Sequence, residues 1–263
     1  MKTRIKQLIF GLMLAGFIAA VFAINTASAS KWYQPVDLQN GVDVSSYYLT
    51  GDERSQVAAD DWICDDAATI TNITWWGAYS GYNGSSAPTN QISSFWFAIY
   101  SDVSADSERE VMPWSHPDAH QVVWSASIDD VNETYFGEQE LAGQSAFKYS
   151  ITLDNPFQQV EGTTYWLAIW AGMDDAASHT WGWKTTALEH NWNDAAVTSS
   201  NFVYWDDIYY EYGHPYEGER VNLAFILNDD GEEIPEPATL ILLGSLATGL
   251  FGTAGMKRRF AKK

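Results

Sequence analysis

Alternating apolar and polar residues constrain this chain more than any other feature of its sequence. Apolar residues occupy every second position over 147–153, and the same pattern recurs at 121–128 and 221–228. Successive side chains of a β-strand point to opposite faces, so each run predicts a strand with one buried face and one solvated face. About ten such segments lie between residues 42 and 228, separated by Gly, Pro, Asn and Asp, and no amphipathic helix is indicated.

Two segments, 95–100 and 165–170, are apolar on both faces. Such strands are typical of the middle of a sheet, with the second face covered by a loop or by a ligand. Cys64 is the only cysteine, so no internal disulfide can form, and we expect this thiol to be a buried hydrophobe. The sequence therefore predicts an all-β domain over 30–227, an antiparallel two-sheet sandwich that is jelly-roll-like and held together by packing.

Residues 1–29 have the features of a secretory signal peptide. A basic start is followed by the apolar stretch 8–24, and Ala27 and Ala29 form a small-x-small cleavage site. Cleavage after Ala29 would leave Ser30 as the first residue of the mature chain. The alternative is an uncleaved signal anchor, because the apolar stretch is just long enough to span a membrane.

The C-terminal end contains a predicted transmembrane helix. Residues 238–256 carry no charge, and nineteen helical residues span about 28 Å, close to the thickness of a bilayer core. Lys257, Arg258 and Arg259 follow directly and should remain on the cytoplasmic side, which places the preceding domain outside. Residues 228–234 form a short acidic linker between that domain and the tail.

A tripeptide, Pro235, Glu236 and Pro237, stands immediately before the apolar stretch. The order of this tripeptide, an apolar helix and a basic cluster resembles the PEP-CTERM sorting tail, here residues 235–263. The resemblance implies that a membrane protease, exosortase, cuts near the tripeptide and delivers the protein to the envelope or the extracellular polymer layer. We therefore expect export across the inner membrane and transient anchoring, followed by a location in the cell envelope or extracellular matrix.

The domain itself is similar to an uncharacterised family of exported β-domains that often carry this tail. The resemblance implies a sandwich and supplies no catalytic residue. It rests on seven short segments: Ala59–Cys64, Ile73–Gly77, Ile92 with Phe95, Gly162–Ile169, Trp181–Lys184, Trp192–Ala196 and Asn222–Phe225.

The domain is strongly acidic. Eight of the 14 basic residues lie in the two terminal segments and 33 of the 34 acidic residues lie between them, which leaves residues 30–234 with a net charge of −27. This charge argues against nucleic acid or anionic lipid as a partner, because both are polyanions. It is compatible with divalent cations or a neutral ligand, although solvated acidic residues without such a role are the simpler interpretation.

Thirteen tryptophans are the most unusual feature of the composition. Trp181 and Trp183 are two apart, so on a strand they share a face and could form a platform on which sugar rings stack. Asn191, Asn193 and Asp194 could then bind sugar hydroxyls. The alternative is that both indoles belong to the core, since large aromatic residues commonly fill sandwich interiors.

Trp75 and Trp76 are further candidates for such a platform. Adjacent residues of a strand point to opposite faces, so at most one of the two can lie in the core. The other must then face a second layer or a ligand.

Metal and catalytic motifs are weak. Asp102, Asp106 and Glu108 form the densest acidic loop and are a minor calcium candidate, without the ordered spacing of a calcium loop. His116 and His120 lack a third zinc ligand nearby. The sequence shows no local motif for the paired carboxylates of a glycoside hydrolase. We therefore assign no metal site, no cofactor and no catalytic residue.

Three functions of different classes remain compatible with the sequence. The first is a non-catalytic envelope or matrix protein with a structural or adhesive role. The second is a carbohydrate-binding module for extracellular polysaccharide, which exposed rings at Trp181 and Trp183 would favour. The third is a glycoside hydrolase, which would require two carboxyls facing across a groove lined by those indoles.

Overall fold

The computed structural model describes residues 32–105, 112–129, 132–174 and 177–228. The predicted signal peptide, the linker beyond its first residue and the sorting tail lie outside these residues. No helix within the described ranges is long and apolar enough to cross a membrane. The regular secondary structure of the described part is β-strand, apart from one short 3-10 turn, Leu188–His190. The strands are β1 (Trp32–Gln34), β2 (Asp43–Ser45), β3 (Tyr47–Tyr48), β4 (Val57–Ile63), β5 (Ile70–Tyr79), β6 (Ile92–Val103), β7 (His116–Ile128), β8 (Thr134–Gln139), β9 (Gln144–Phe157), β10 (Thr164–Met173), β11 (Trp181–Lys184), β12 (Val197–Ser199), β13 (Asp206–Asp207) and β14 (Phe225–Leu227).

The first sheet is organised around β5. On one side β5 pairs with β9, and β8 lies beyond β9. On the other side β14 pairs with residues 73–75 of β5 and β11 pairs with residues 77–79, so two short strands share one edge of a long one. Beyond them, β1 pairs with β14 and β2 pairs with β11. All pairings in this sheet are antiparallel.

The second sheet has the order β13, β12, β4, β10, β6 and β7, and these neighbours are antiparallel. The short strand β3 adds one parallel pairing to β10. The two segments that are apolar on both faces, 95–100 and 165–170, belong to β6 and β10, which pair with each other in the middle of the sheet. Their predicted central position is confirmed.

An aromatic cluster between the sheets forms the main core. Trp75 of the first sheet stacks on its neighbour Tyr149, with ring centroids 5.2 Å apart, and contacts Phe95 and Phe97 of the second sheet at 5.3 and 5.1 Å. The alternating apolar residues of 147–153 all point into this core. Edge-to-face packing of this kind adds to the burial of apolar area. The predicted all-β fold of two antiparallel sheets is therefore confirmed.

A second apolar layer covers the outer face of the second sheet. Tyr100 and Trp166 project from the central strands into a cluster that includes the buried Trp205. The segments 112–114 and 202–205 lie over this face, and Trp114 Nε1 donates to the Trp205 carbonyl at 2.9 Å. The structure thus shows a loop cover on the second face of the central strands.

The strand pattern was incomplete in two respects. Strands β1, β8 and β12 have no counterpart among the ten predicted segments. Residues 201–209 are one of those segments, but they contain only the two-residue strand β13 and an isolated β-bridge at Tyr209. Val122, predicted to face the core with Trp124, is 49% exposed. A bulge causes this difference, because Trp124 pairs with Ile99 whereas Val122 pairs with Tyr100, which leaves one extra residue in β7. Cys64 is a buried free thiol in the main core, as expected.

Candidate functional site

The indoles of Trp181 and Trp183 lie in the core. Their exposed fractions are 1% and 0%. They share a face as predicted, but that face points toward the opposite sheet, where Trp181 packs on Phe95 with ring centroids 5.0 Å apart. Trp183 Nε1 donates to the Ala224 carbonyl at 2.8 Å. Gly77 of β5 lies so close to the Trp181 ring that a Cβ there would overlap the indole.

Trp75 and Trp76 point to opposite faces of β5, as predicted. Trp75 is fully buried in the main core. Trp76 is 3% exposed and lies in a small cluster on the other face, where it contacts Phe136 at 5.6 Å and the Lys148 ammonium lies 5.8 Å from its ring centroid. None of the four indoles offers a ring face to a ligand, so the prediction of a platform at Trp75, Trp76 and the Trp181/Trp183 pair is wrong in this structure.

The most exposed indole among the described tryptophans is that of Trp96, at 45%. It pairs across the strands with Trp170, and the two rings are nearly parallel with centroids 6.3 Å apart. Trp96 Nε1 donates to Ser94 Oγ at 2.9 Å, which fixes the ring. Alternation in the sequence could not distinguish this pair from the core tryptophans, because both of their strands are apolar on both faces.

Three of the segments that carry the family resemblance converge on one buried polar cluster. Asp60 Oδ2 accepts the Leu223 backbone N–H at 2.6 Å, and Asp61 Oδ2 accepts Asn193 Nδ2 at 2.9 Å. Asn222, fully buried, accepts a backbone N–H from segment 192–194 and donates to a carbonyl of the same segment. The cluster therefore joins β4 to the segments 192–194 and 222–223, both of which follow β11 in the chain.

Burial controls the protonation of these carboxyls. It raises the pKa of Asp60 well above its ordinary value, and it raises that of Asp61 to about 8. One oxygen of each, Oδ1, has no hydrogen-bond partner among the described residues. Burial also raises the pKa of Asp102, opposed by a hydrogen bond from Trp166 Nε1 at 2.8 Å. For Asp61, burial thus favours the protonated carboxyl at neutral pH.

The metal candidates do not form a site within the described ranges, where no group of three His, Cys, Asp or Glu side chains could hold an ion. Of the acidic loop only Asp102 is described, whereas Asp106 and Glu108 lie outside. His116 and His120 both lie on strand β7. Four residues along a strand span about 13 Å, so the two imidazoles cannot share one metal.

A cavity of about 470 Å³ brings together Asn191, Asn193 and Asp194, with Tyr209 and Arg220 beside them. These are the side chains predicted to bind sugar hydroxyls. Asn191 Nδ2 donates to the Arg220 carbonyl at 2.8 Å, and Asn193 Nδ2 donates to Asp194 Oδ2 at 2.7 Å. The three side chains are thus grouped, but neither Trp181 nor Trp183, with which they were expected to act, lines this cavity.

A further cavity, about 390 Å³, contains Asp129 and Glu133. Glu133 accepts hydrogen bonds from the hydroxyls of Tyr79 and Tyr149, and burial raises its pKa. Sequence reasoning missed Glu133, which no motif marks. None of the four candidate tryptophans lines this cavity, so it is not the tryptophan-lined groove that the hydrolase hypothesis required.

A buried ion pair is the last unusual polar feature. Lys184 Nζ lies 2.5 Å from Asp43 Oδ1, on a directly paired position of β11 and β2, and the Lys184 side chain is fully buried. Burial lowers the pKa of Lys184 and raises that of Asp43, while the attraction between the two charges opposes both shifts. The Lys184 ammonium also donates to Gln139 Oε1.

These features define an acidic two-sheet β-sandwich without a disulfide among its described residues. Residues 30–228 match the family model described as a domain of unknown function, DUF7901, and the chain belongs to that family. No curated protein and no solved structure matches the chain. The family description assigns no activity.

Proposed function

We propose that this protein is an exported component of the cell envelope or extracellular matrix, with a structural or adhesive role. One observation carries the proposal, namely the order of segments along the chain. A basic and apolar start with an Ala-x-Ala site precedes the acidic β-domain, and the domain is followed by Pro-Glu-Pro, an uncharged stretch and a basic cluster.

The tail gives the protein two partners. The apolar helix 238–256 holds it in the inner membrane with Lys257, Arg258 and Arg259 on the cytoplasmic side. Exosortase then cuts near Pro235–Pro237 and releases the domain, which reaches the envelope or the surrounding polysaccharide. The signal peptide is removed after Ala29.

The described domain is compatible with such a role. An exported domain with a single cysteine needs a core that is stable by packing alone, and the aromatic cluster between the sheets provides one. The high negative charge of the domain keeps it soluble outside the cell.

The sorting role is tested by changing the tail and following processing. The chain carries a C-terminal epitope and is expressed in a host that contains exosortase. In wild type, release of the domain removes the epitope from the mature protein. Replacing both Pro235 and Pro237 with Ala should leave a membrane-bound chain that retains the epitope, and reversing the charges of residues 257–259 should impair retention or processing.

A matched control changes the acidic linker instead, with Glu232→Gln and Glu233→Gln. This control should be processed like wild type. Unaltered maturation of both tail variants would contradict the sorting role.

A further inference from the structure

Two cavities share part of their lining along strand β2 and are together called the β2 groove here. The larger cavity, about 650 Å³, extends toward segment 208–215, and the smaller, about 340 Å³, extends toward β11. Each volume lies within the roughly 300–1,000 Å³ that is usual for small-ligand sites. The residues that line both cavities are Val42, Asp43, Ser45 and Leu141.

The carboxylate of Asp43 is fixed at the centre of this groove. Lys184 holds one of its oxygens, and Gln139 holds Lys184 through Oε1. Gln139 is itself oriented, because its Nε2 donates to the Gly41 carbonyl. The Asp43 side chain keeps 20% of its surface exposed. A buried ion pair contributes little net stability, whereas an oriented carboxylate beneath a cavity is characteristic of a binding site.

Exposed rings stand at the larger end of the groove. Tyr212 is 93% exposed and Tyr209 is 46% exposed. Tyr210, between them, is buried and stacks on His214 with ring centroids 4.4 Å apart, which anchors the segment that carries the exposed rings. Tyrosine combines an apolar ring face with a polar hydroxyl, and this combination suits a ligand with both kinds of surface.

The acidic side chains of the groove indicate which class of ligand it can bind. Asp43 and Glu211 both line it, and the domain is strongly acidic, so an anionic ligand would be repelled. A wholly apolar ligand would cover the Asp43 carboxylate without giving it a hydrogen bond, which is costly. A neutral ligand with many hydroxyls meets both conditions, and Ser45 and Gln56 offer further hydrogen bonds.

We propose that the β2 groove binds a neutral carbohydrate chain. Its sugar rings stack on Tyr209 and Tyr212, and its hydroxyls donate to the Asp43 carboxylate. This activity goes beyond the envelope role and does not depend on the sorting tail, so either proposal can fail without the other.

Affinity electrophoresis of the full-length chain in mild detergent tests the site. The gels contain a neutral polysaccharide, either galactomannan, hydroxyethylcellulose or a soluble β-glucan, and parallel gels contain anionic alginate. We expect retardation by at least one neutral polymer and none by alginate. Tyr212→Ala should weaken binding about tenfold, the effect typical of one lost anchor, and the double variant with Tyr209→Ala should abolish it.

Tyr204→Ala is the matched control, because Tyr204 is 62% exposed and does not line the groove. It should bind like wild type. Circular dichroism of each variant verifies that the fold is intact, which is expected because the replaced rings are at the surface. Absence of retardation on all three neutral polymers would overturn the proposal. Retardation by alginate, or binding that the tyrosine variants leave unchanged, would overturn it equally.

Discussion

Replacing Asp61 with Asn should stabilise the protein by an amount that grows with pH. The carboxyl has an ordinary pKa of 3.8 and a folded-state pKa of about 8, raised chiefly by burial. Between these values the folded chain binds a proton that the unfolded chain has released, so wild-type stability falls as pH rises. The slope for one proton is about 1.4 kcal/mol per pH unit.

From pH 5 to pH 7 the stability of Asp61→Asn relative to wild type should therefore increase by about 2–3 kcal/mol. The amide has nearly the same shape as the protonated carboxyl and can still accept the hydrogen bond from Asn193. Urea denaturation followed by tryptophan fluorescence at pH 5, 6 and 7 measures this difference directly.

Asp52 supplies the control. Its hydrogen bonds to Arg54 lower its pKa to about 2, so the stability that it contributes is present above pH 4 and is lost only as pH falls toward 2. The effect of Asp52→Asn should therefore be constant between pH 5 and 7. A constant difference for Asp61→Asn as well would refute the assignment of a buried, protonated carboxyl.

Two further predictions concern the core and the buried ion pair. Trp183→Ala should lower the free energy of unfolding by about 3–5 kcal/mol, whereas Trp96→Ala, at a half-exposed position, should lower it by about 1 kcal/mol or less. Urea denaturation measures both values. Equal effects would contradict the assignment of Trp183 to the core. Lys184→Met should cost about 3–5 kcal/mol because it leaves the Asp43 carboxylate without its partner, and adding Asp43→Asn should recover part of that loss in the same assay. If the effects of the two substitutions on the free energy of unfolding simply add up in the double variant, the ion pair between Lys184 and Asp43 is contradicted.

The strand faces could be predicted from sequence because alternation is a local property. The run 147–153 and the opposite faces of Trp75 and Trp76 follow from the geometry of a single strand. Which face is buried depends on the partner sheet, which is not encoded locally. Trp181 and Trp183 illustrate this limit, since they share a face as expected and yet that face is the core.

The polar clusters depend on contacts between distant parts of the chain. Asp60 meets the Leu223 backbone across 163 positions, and Asp61 meets Asn193 across 132 positions. No spacing rule joins such residues. Glu133 was missed for the same reason, because its environment is created by tyrosines from β5 and β9.

We propose that this β-domain is exported and then released from its terminal anchor. Intact-mass measurement of the protein recovered from the envelope and medium of its native host tests this export and release most directly. A mature chain that begins at Ser30 and ends near Pro235–Pro237 is the predicted result. A cytosolic protein that retains both Met1 and Lys263 would contradict it.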